Sequence, residues 1–204
     1  VEVVVLNGTG DGLAQMAEWA RGRSGYDAIH LLSHGSPGTV HLGALDLNRE
    51  TLGERAGDLA TLGAALDENG DLLLYGCNVA AGQTGADFVQ RLARVTGADV
   101  AASEDLTGST ATGGDWYLEY VSGAFIPTAV MSEPTLMAYR HSLATFMVNS
   151  TADSGLGTLR DAAGRVVAGD TIQFANSINN GTITLSSSLA LNSNITLDAS
   201  PLTT

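Results

Sequence analysis

Apolar and polar positions along this chain fall into short alternating blocks. Residues 1–6 form a β-branched run, 28–33 an apolar run that ends Ser33-His34-Gly35, and 72–75 a second one that ends Gly76-Cys77-Asn78. The last two are too short for free-standing helices and are flanked by Asp and Gly, which predicts buried strands of a parallel sheet. Between them the period becomes helical. Leu13, Met16, Ala17 and Ala20 share one face, and Leu47, Leu52, Leu59, Leu62 and Leu66 another, broken near Gly53 or Gly57. Ser36-Pro37-Gly38 predicts a turn and 39–42 a short strand, a hairpin beside His34. Thr84-Gly85-Ala86-Asp87 reads as a capping box that opens a helix carrying Phe88, Leu92 and Val95, ended by Gly97. Further strands are predicted at 99–102 and 116–121. The alternation of strand and helix predicts an α/β fold, a mostly parallel sheet with helices on both faces.

The pattern changes near Arg140. From Thr145 onward charge thins out, and Asn, Ser, Thr and Gly dominate. Strands are predicted at 146–149, 171–174, 182–185 and 195–197, with a short helix at 158–167 capping the open end. Close spacing and Asn/Gly turns predict all-β structure of solenoid type. The start of a solenoid cannot bury its own axis, so its edge must rest on something. The expected organisation is residues 1–140, a connector at 141–147, and an all-β segment at 148–204.

Composition narrows the function classes. A net charge of −13 argues against nucleic acid and against an anionic membrane surface. All basic side chains are arginines. No run approaches the length of a membrane span, so membrane insertion is not expected. A single cysteine excludes an internal disulfide framework. The chain begins inside a strand-like run, which suggests excision from something longer.

In parallel sheets, ligands and chemistry sit at the carboxyl edge of the strands. Two strands here deliver the His34 imidazole and the Cys77 thiol to one edge, the arrangement of a thiol nucleophile with a histidine base. A thiol of ordinary pKa near 8.5 is mostly protonated at neutral pH, and a nearby imidazole would raise the thiolate fraction or protonate a leaving amine. The alternatives are a small buried hydrophobe at Cys77 and a plain turn residue at His34. His30 lies inside the core and is expected to be structural; His41, in the hairpin, is expected at the surface. His30, His34, His41 and Cys77 match no closed zinc spacing, and no D-x-D-x-D-G run offers a calcium loop, so neither metal nor cofactor is expected. The turn Asn7-Gly8-Thr9-Gly10-Asp11-Gly12 lacks dinucleotide spacing but keeps an anion-binding alternative open.

The block order resembles the caspase-like cysteine peptidases: an apolar strand ending His-Gly, then one ending Gly-Cys. More closely, Ser33-His34-Gly35-Ser36-Pro37-Gly38, Leu73-Leu74-Tyr75-Gly76-Cys77, Thr96-Gly97-Ala98-Asp99-Val100-Ala101-Ala102-Ser103 and Gly113-Gly114-Asp115-Trp116-Tyr117-Leu118-Glu119 resemble the DUF4347 domain of large bacterial surface proteins and adhesins, over roughly 1–140. Asn78 and Val79 follow the cysteine where caspases carry Arg/Gln-Gly. The blocks Val148-Asn149-Ser150-Thr151-Ala152-Asp153-Ser154-Gly155 and Gly169-Asp170-Thr171-Ile172-Gln173-Phe174 resemble the opening of right-handed parallel β-helix surface proteins. The peptidase resemblance implies Cys77 and His34 as catalytic groups and the Gly35 and Cys77 N–H groups as an oxyanion hole. It also implies a primary pocket at the Ser103–Gly108 loop, where Glu104 and Asp105, with Asp115, would receive an arginine. A solvated acidic loop is the plain alternative. The expected substrate is a peptide, and the chain's own connector is held at high effective concentration. Arg140-His141 is the first expected bond and Leu143-Ala144 the second. The setting implied is secreted or at a bacterial cell surface, as part of a larger surface protein. The rival expectation is a catalytically silent cap and interaction module for a β-helix adhesin.

Overall fold

The computed structural model describes residues 1–129, 131–140, 142–166, 170–191, 195–199 and 202. The chain opens with α1 (Gly12–Ala20) and β1 (Tyr26–Leu32). A small antiparallel sheet follows, of β2 (Gly35–Ser36), β3 (Thr39–Leu42) and β4 (Leu45–Asn48). Next come α2 (Thr51–Glu54), α3 (Ala56–Gly63), β5 (Leu66–Tyr75), α4 (Gly82–Thr96), β6 (Asp99–Ala102) and β7 (Tyr120–Val121). After α5 (Glu133–Ala138) the chain continues into β8 (Thr145–Val148), α6 (Leu159–Arg165), β9 (Thr171–Phe174) and β10 (Thr196–Asp198). The architecture is mixed α/β.

The central sheet has the order β1-β5-β6-β7, parallel except for β7. Side chains of β5 alternate between its faces, as a pleated strand requires. Leu72 and Leu74 join the large core of α1, α3 and α4, with Leu13, Leu59, Leu62, Phe88 and Leu92. Leu73 and Tyr75 point the other way, into a second cluster with Ala101 and Leu118. That second face is covered by Trp116, Phe125 and Leu143, and α5 lines a cavity there with Tyr75 and Leu118 through Leu136 and Met137. A separate parallel sheet, β10-β9-β8, encloses Val148, Ala162 and Ile172.

Other expectations differ from the structure for local reasons. Residues 1–6 form no strand; Val1, Val3 and Val5 are exposed, since a β-branched run without a partner makes no ladder. Of 116–121 only the last two residues pair, because β6 ends at Ala102 and leaves 116–119 no neighbour. Residues 182–185 likewise form no strand. The break between α2 and α3 falls at Arg55, whose guanidinium bridges Asp58 (2.7 Å) and Asp11 (2.5 Å). Asp11 also caps α1 by accepting the Ala14 N–H at 2.9 Å, so a carboxylate already occupies the terminus the glycine-rich turn would offer an anion. The helix after Cys77 begins at Gly82, two residues before the expected capping box, with no side-chain cap. Gly85 presses so closely on the preceding turn that a Cβ there would lie 2.1 Å from the Ala80 carbonyl carbon.

Candidate active site

Three parallel strands end at one edge, and the loops that leave them are tied together. Ser33 N–H donates to the Tyr75 carbonyl (3.0 Å), so His34 leaves β1 where Cys77 leaves β5. Past Cys77, Asn78 takes a left-handed φ of 61°, and its N–H donates to the Asp105 carbonyl at 2.7 Å. Ala80 N–H reaches the Ser103 carbonyl (2.9 Å), and the Val79 carbonyl accepts from Gly38 N–H (3.0 Å). The cysteine turn is therefore clamped between the loops after β1 and β6. Gly35 is required by close approach: a Cβ there would stand 2.5 Å from Val79 Cγ2 and 3.0 Å from the Cys77 carbonyl oxygen.

Cys77 is completely buried. Its Sγ accepts the Thr107 N–H (3.2 Å) and donates to the Thr107 carbonyl (3.5 Å). Burial pushes the thiol pKa up to about 11, opposed by backbone bonds from Thr107 and Leu143. His34 is half-buried, and its Nδ1 is enclosed with no hydrogen-bond partner among the described residues. Desolvation lowers its pKa, partly offset by the backbone of Leu143, the Asp170 charge and the backbone of Ala144. Burial thus favours the uncharged form of both groups.

What lies next to both is the connector. Leu143 N–H donates to the Thr107 carbonyl at 2.9 Å, and its carbonyl accepts from Gly35 N–H at 3.4 Å. Ser142 pairs antiparallel with Gly108, and Ala144 pairs parallel with Gly35. Ser142 and Ala144 are buried, and Leu143 packs against the cluster of Leu73, Tyr75, Ala101 and Leu118. A stretch of this chain thus runs as an added strand between the His34 and Thr107 loops.

The proposed acidic pocket is placed differently. Glu104 and Asp105 are exposed, and Glu104 N–H donates to Glu119 Oε2 (2.8 Å). Asp105, Asp115 and Glu119 bring carboxylate oxygens within 4.8 Å of one another. Arg140 is exposed and makes no ion pair among the described residues. His141, the other half of the first expected bond, lies outside the described residues.

His30 sits in β1, half-buried and stacked on Tyr75 with ring centroids 5.9 Å apart, its pKa lowered by burial. His41 is not the surface residue expected: its side chain is 7% exposed. It faces Asp46 through Nδ1 (2.7 Å) and Ser36 Oγ through Nε2 (3.4 Å), a Ser–imidazole–carboxylate relay that hairpin pairing assembles. Two further residues were not legible as site residues. Asp170, buried in the second sheet's unit, accepts from Ser142 Oγ at 2.7 Å, and its charge reaches both Cys77 and His34. Tyr139 has its pKa raised by burial, then by Asp170 and Cys77. Their only sequence signal was proximity to the connector and to a strand start.

The family described as "Domain of unknown function (DUF4347)" matches residues 1–143. No curated protein and no solved structure matches the chain.

Proposed function

The chain belongs to the DUF4347 family, and we propose that it is a cysteine endopeptidase domain whose first substrate is its own connector. The observation that carries this is the connector backbone lying against Cys77 and His34 in extended form, hydrogen-bonded on both sides as an added strand. Strand addition is a common way for a protein to hold a peptide, since main-chain bonds supply affinity and side-chain pockets supply selectivity. A buried structural thiol has no need of such a neighbour.

The chemistry assigned to the site is acyl transfer. Cys77 Sγ attacks a peptide carbonyl whose oxygen is turned to Gly35 N–H, the position of an oxyanion donor. His34 takes the thiol proton and delivers it to the departing amine. A caspase-like ancestry, a β-helix for the second unit and an exported bacterial surface protein as the parent complete this proposal. The parallel order β10-β9-β8 and the strand-end placement of His34 and Cys77 are compatible with them.

A second reading has its own support. The thiol is fully buried and its pKa is about 11, as expected of an inert cysteine in a silent module that caps the second unit. Incubation of the chain with a peptidyl acyloxymethyl ketone separates the two. An active site becomes labelled on Cys77, and His34→Ala lowers the labelling and peptide turnover by about two to four orders of magnitude. Cys77 left unlabelled, together with turnover equal in Cys77→Ala, overturns the peptidase; turnover lost in Ser36→Ala instead assigns it to the Ser36–His41–Asp46 relay.

A further inference from the structure

We infer that the bond cut is Leu143–Ala144, with the Leu143 side chain held in an apolar specificity pocket, and that the cleaved domain keeps its own product end in the site. This rests on the peptidase reading above and fixes its substrate. The register of the connector carries it. Only one carbonyl of the connector, that of Leu143, accepts from Gly35 N–H among the described residues. On the upstream side Leu143 N–H is held by the Thr107 carbonyl and Ser142 pairs with Gly108. On the downstream side Ala144 pairs with Gly35. The Leu143–Ala144 peptide is therefore the one presented between Cys77 and His34, three residues beyond Arg140.

The pocket fits that register. Leu143 joins the cluster of Leu73, Tyr75, Ala101 and Leu118, on the face of the sheet opposite the main core. Trp116 packs there too, its ring 6.1 Å from Tyr75. A guanidinium set among Leu73, Tyr75, Ala101 and Leu118 would lose hydration that these apolar side chains do not replace. Glu104 and Asp105 are exposed rather than enclosed in that cluster. Selectivity at this position is therefore for a branched aliphatic side chain.

The step balances as follows. Cys77 Sγ bonds to the Leu143 carbonyl carbon, the bond to the Ala144 nitrogen breaks, and the thiol proton passes through His34 to that nitrogen. Water then hydrolyses the thioester, leaving the Leu143 carboxylate and restoring the thiol. The acyl part is the enzyme's own chain, so the thioester closes a ring within residues 77–143. After hydrolysis the Leu143 end keeps its bonds to Thr107 and Gly108, whereas the second unit starts at a free Ala144 amine. One turnover per chain is the consequence, with the site blocked until that end is displaced.

The test follows purified full-length chains, as wild type, Cys77→Ala, Leu143→Asp and Arg140→Ala, by intact mass and amino-terminal sequencing. A synthetic peptide spanning residues 136–150 is supplied in parallel. The expected result is a Cys77-dependent fragment starting at Ala144, lost in Leu143→Asp and retained in Arg140→Ala, with the peptide cut at the same bond but slowly, as the retained end is displaced. A Cys77-dependent fragment starting at His141, lost in Arg140→Ala, overturns the bond assignment and leaves the peptidase standing. No Cys77-dependent cut of chain or peptide overturns both. Rapid multiple turnover of the peptide by already cleaved chain overturns the retained product end.

Discussion

If the connector is what hides the nucleophile, removing it should wake the thiol, and the size of the change follows from the site. The perturbation is Leu143→Asp in a His34→Ala background, where no cleavage complicates the reading. In the intact chain Cys77 has its pKa raised from 9.0 to about 11 and no solvent exposure. Below pH 9 that lowers the thiolate population about a hundredfold relative to a free thiol, each pKa unit being a factor of ten. Alkylation by iodoacetamide at pH 8 should therefore be at least ~100-fold slower than for free cysteine. An aspartate at position 143 would place a carboxylate among Leu73, Tyr75, Ala101 and Leu118. Burying that charge unpaired costs several kcal/mol, more than the two backbone hydrogen bonds of Leu143, at about 1 kcal/mol each, return. The connector should leave, and alkylation should rise by about one to two orders of magnitude as the thiol regains solvent. Intact mass over time gives both rates. Equal, slow rates in the two chains, with unchanged circular dichroism, refute the reasoning: the thiol would then be buried by the domain itself.

Four further outcomes follow from the same geometry. Gly35→Ala should lower stability by about 1–3 kcal/mol in urea melts, because its Cβ meets Val79 and the Cys77 carbonyl; it should also lower turnover by roughly a hundredfold as the Gly35 N–H moves. The Cys77 thiol is protonated more tightly in the folded chain, so its stabilising effect is full below about pH 9 and lost as pH rises through about 11; urea melts of Cys77→Ala should show a shallower alkaline decline. His34 titrates low, so its contribution is present above about pH 6.5 and fades on acidification as the unfolded chain takes up the proton first; His34→Gln should flatten that acid limb. Ser142→Ala should cost about 1–3 kcal/mol, since it removes a 2.7 Å bond to the buried Asp170 carboxylate, read as a lower urea midpoint.

Much of this was legible because it depends on local pattern. The apolar runs before His34 and Cys77 pair in parallel as β1 and β5, and the hairpin of 39–42 forms beside them. Helical spacing at Leu13, Met16, Ala17 and Ala20 gave the buried face of α1. What the sequence hid depends on pairing between distant segments. Trp116 and Leu118 have strand-like composition, yet they close a cluster because β6 is too short to partner them. The expected arginine pocket rested on the peptidase resemblance and on charge, whereas register sets Leu143 against the Gly35 and Thr107 loops. Register is set by the Gly35 and Thr107 loops, and no pattern within the connector encodes it. Asp170 reaches the connector from a segment whose proximity only the folded chain creates, whereas the His41–Asp46 pair is local to one hairpin.

Everything proposed for this site requires an intramolecular, Cys77-dependent cut. The direct measurement is the rate at which freshly purified chain loses its intact mass, taken across a hundredfold range of protein concentration for wild type and Cys77→Ala. A first-order loss independent of concentration in wild type, and none in Cys77→Ala, is the predicted result. The same loss in both chains, or an intact wild-type chain whose Cys77 also resists the ketone probe, contradicts it.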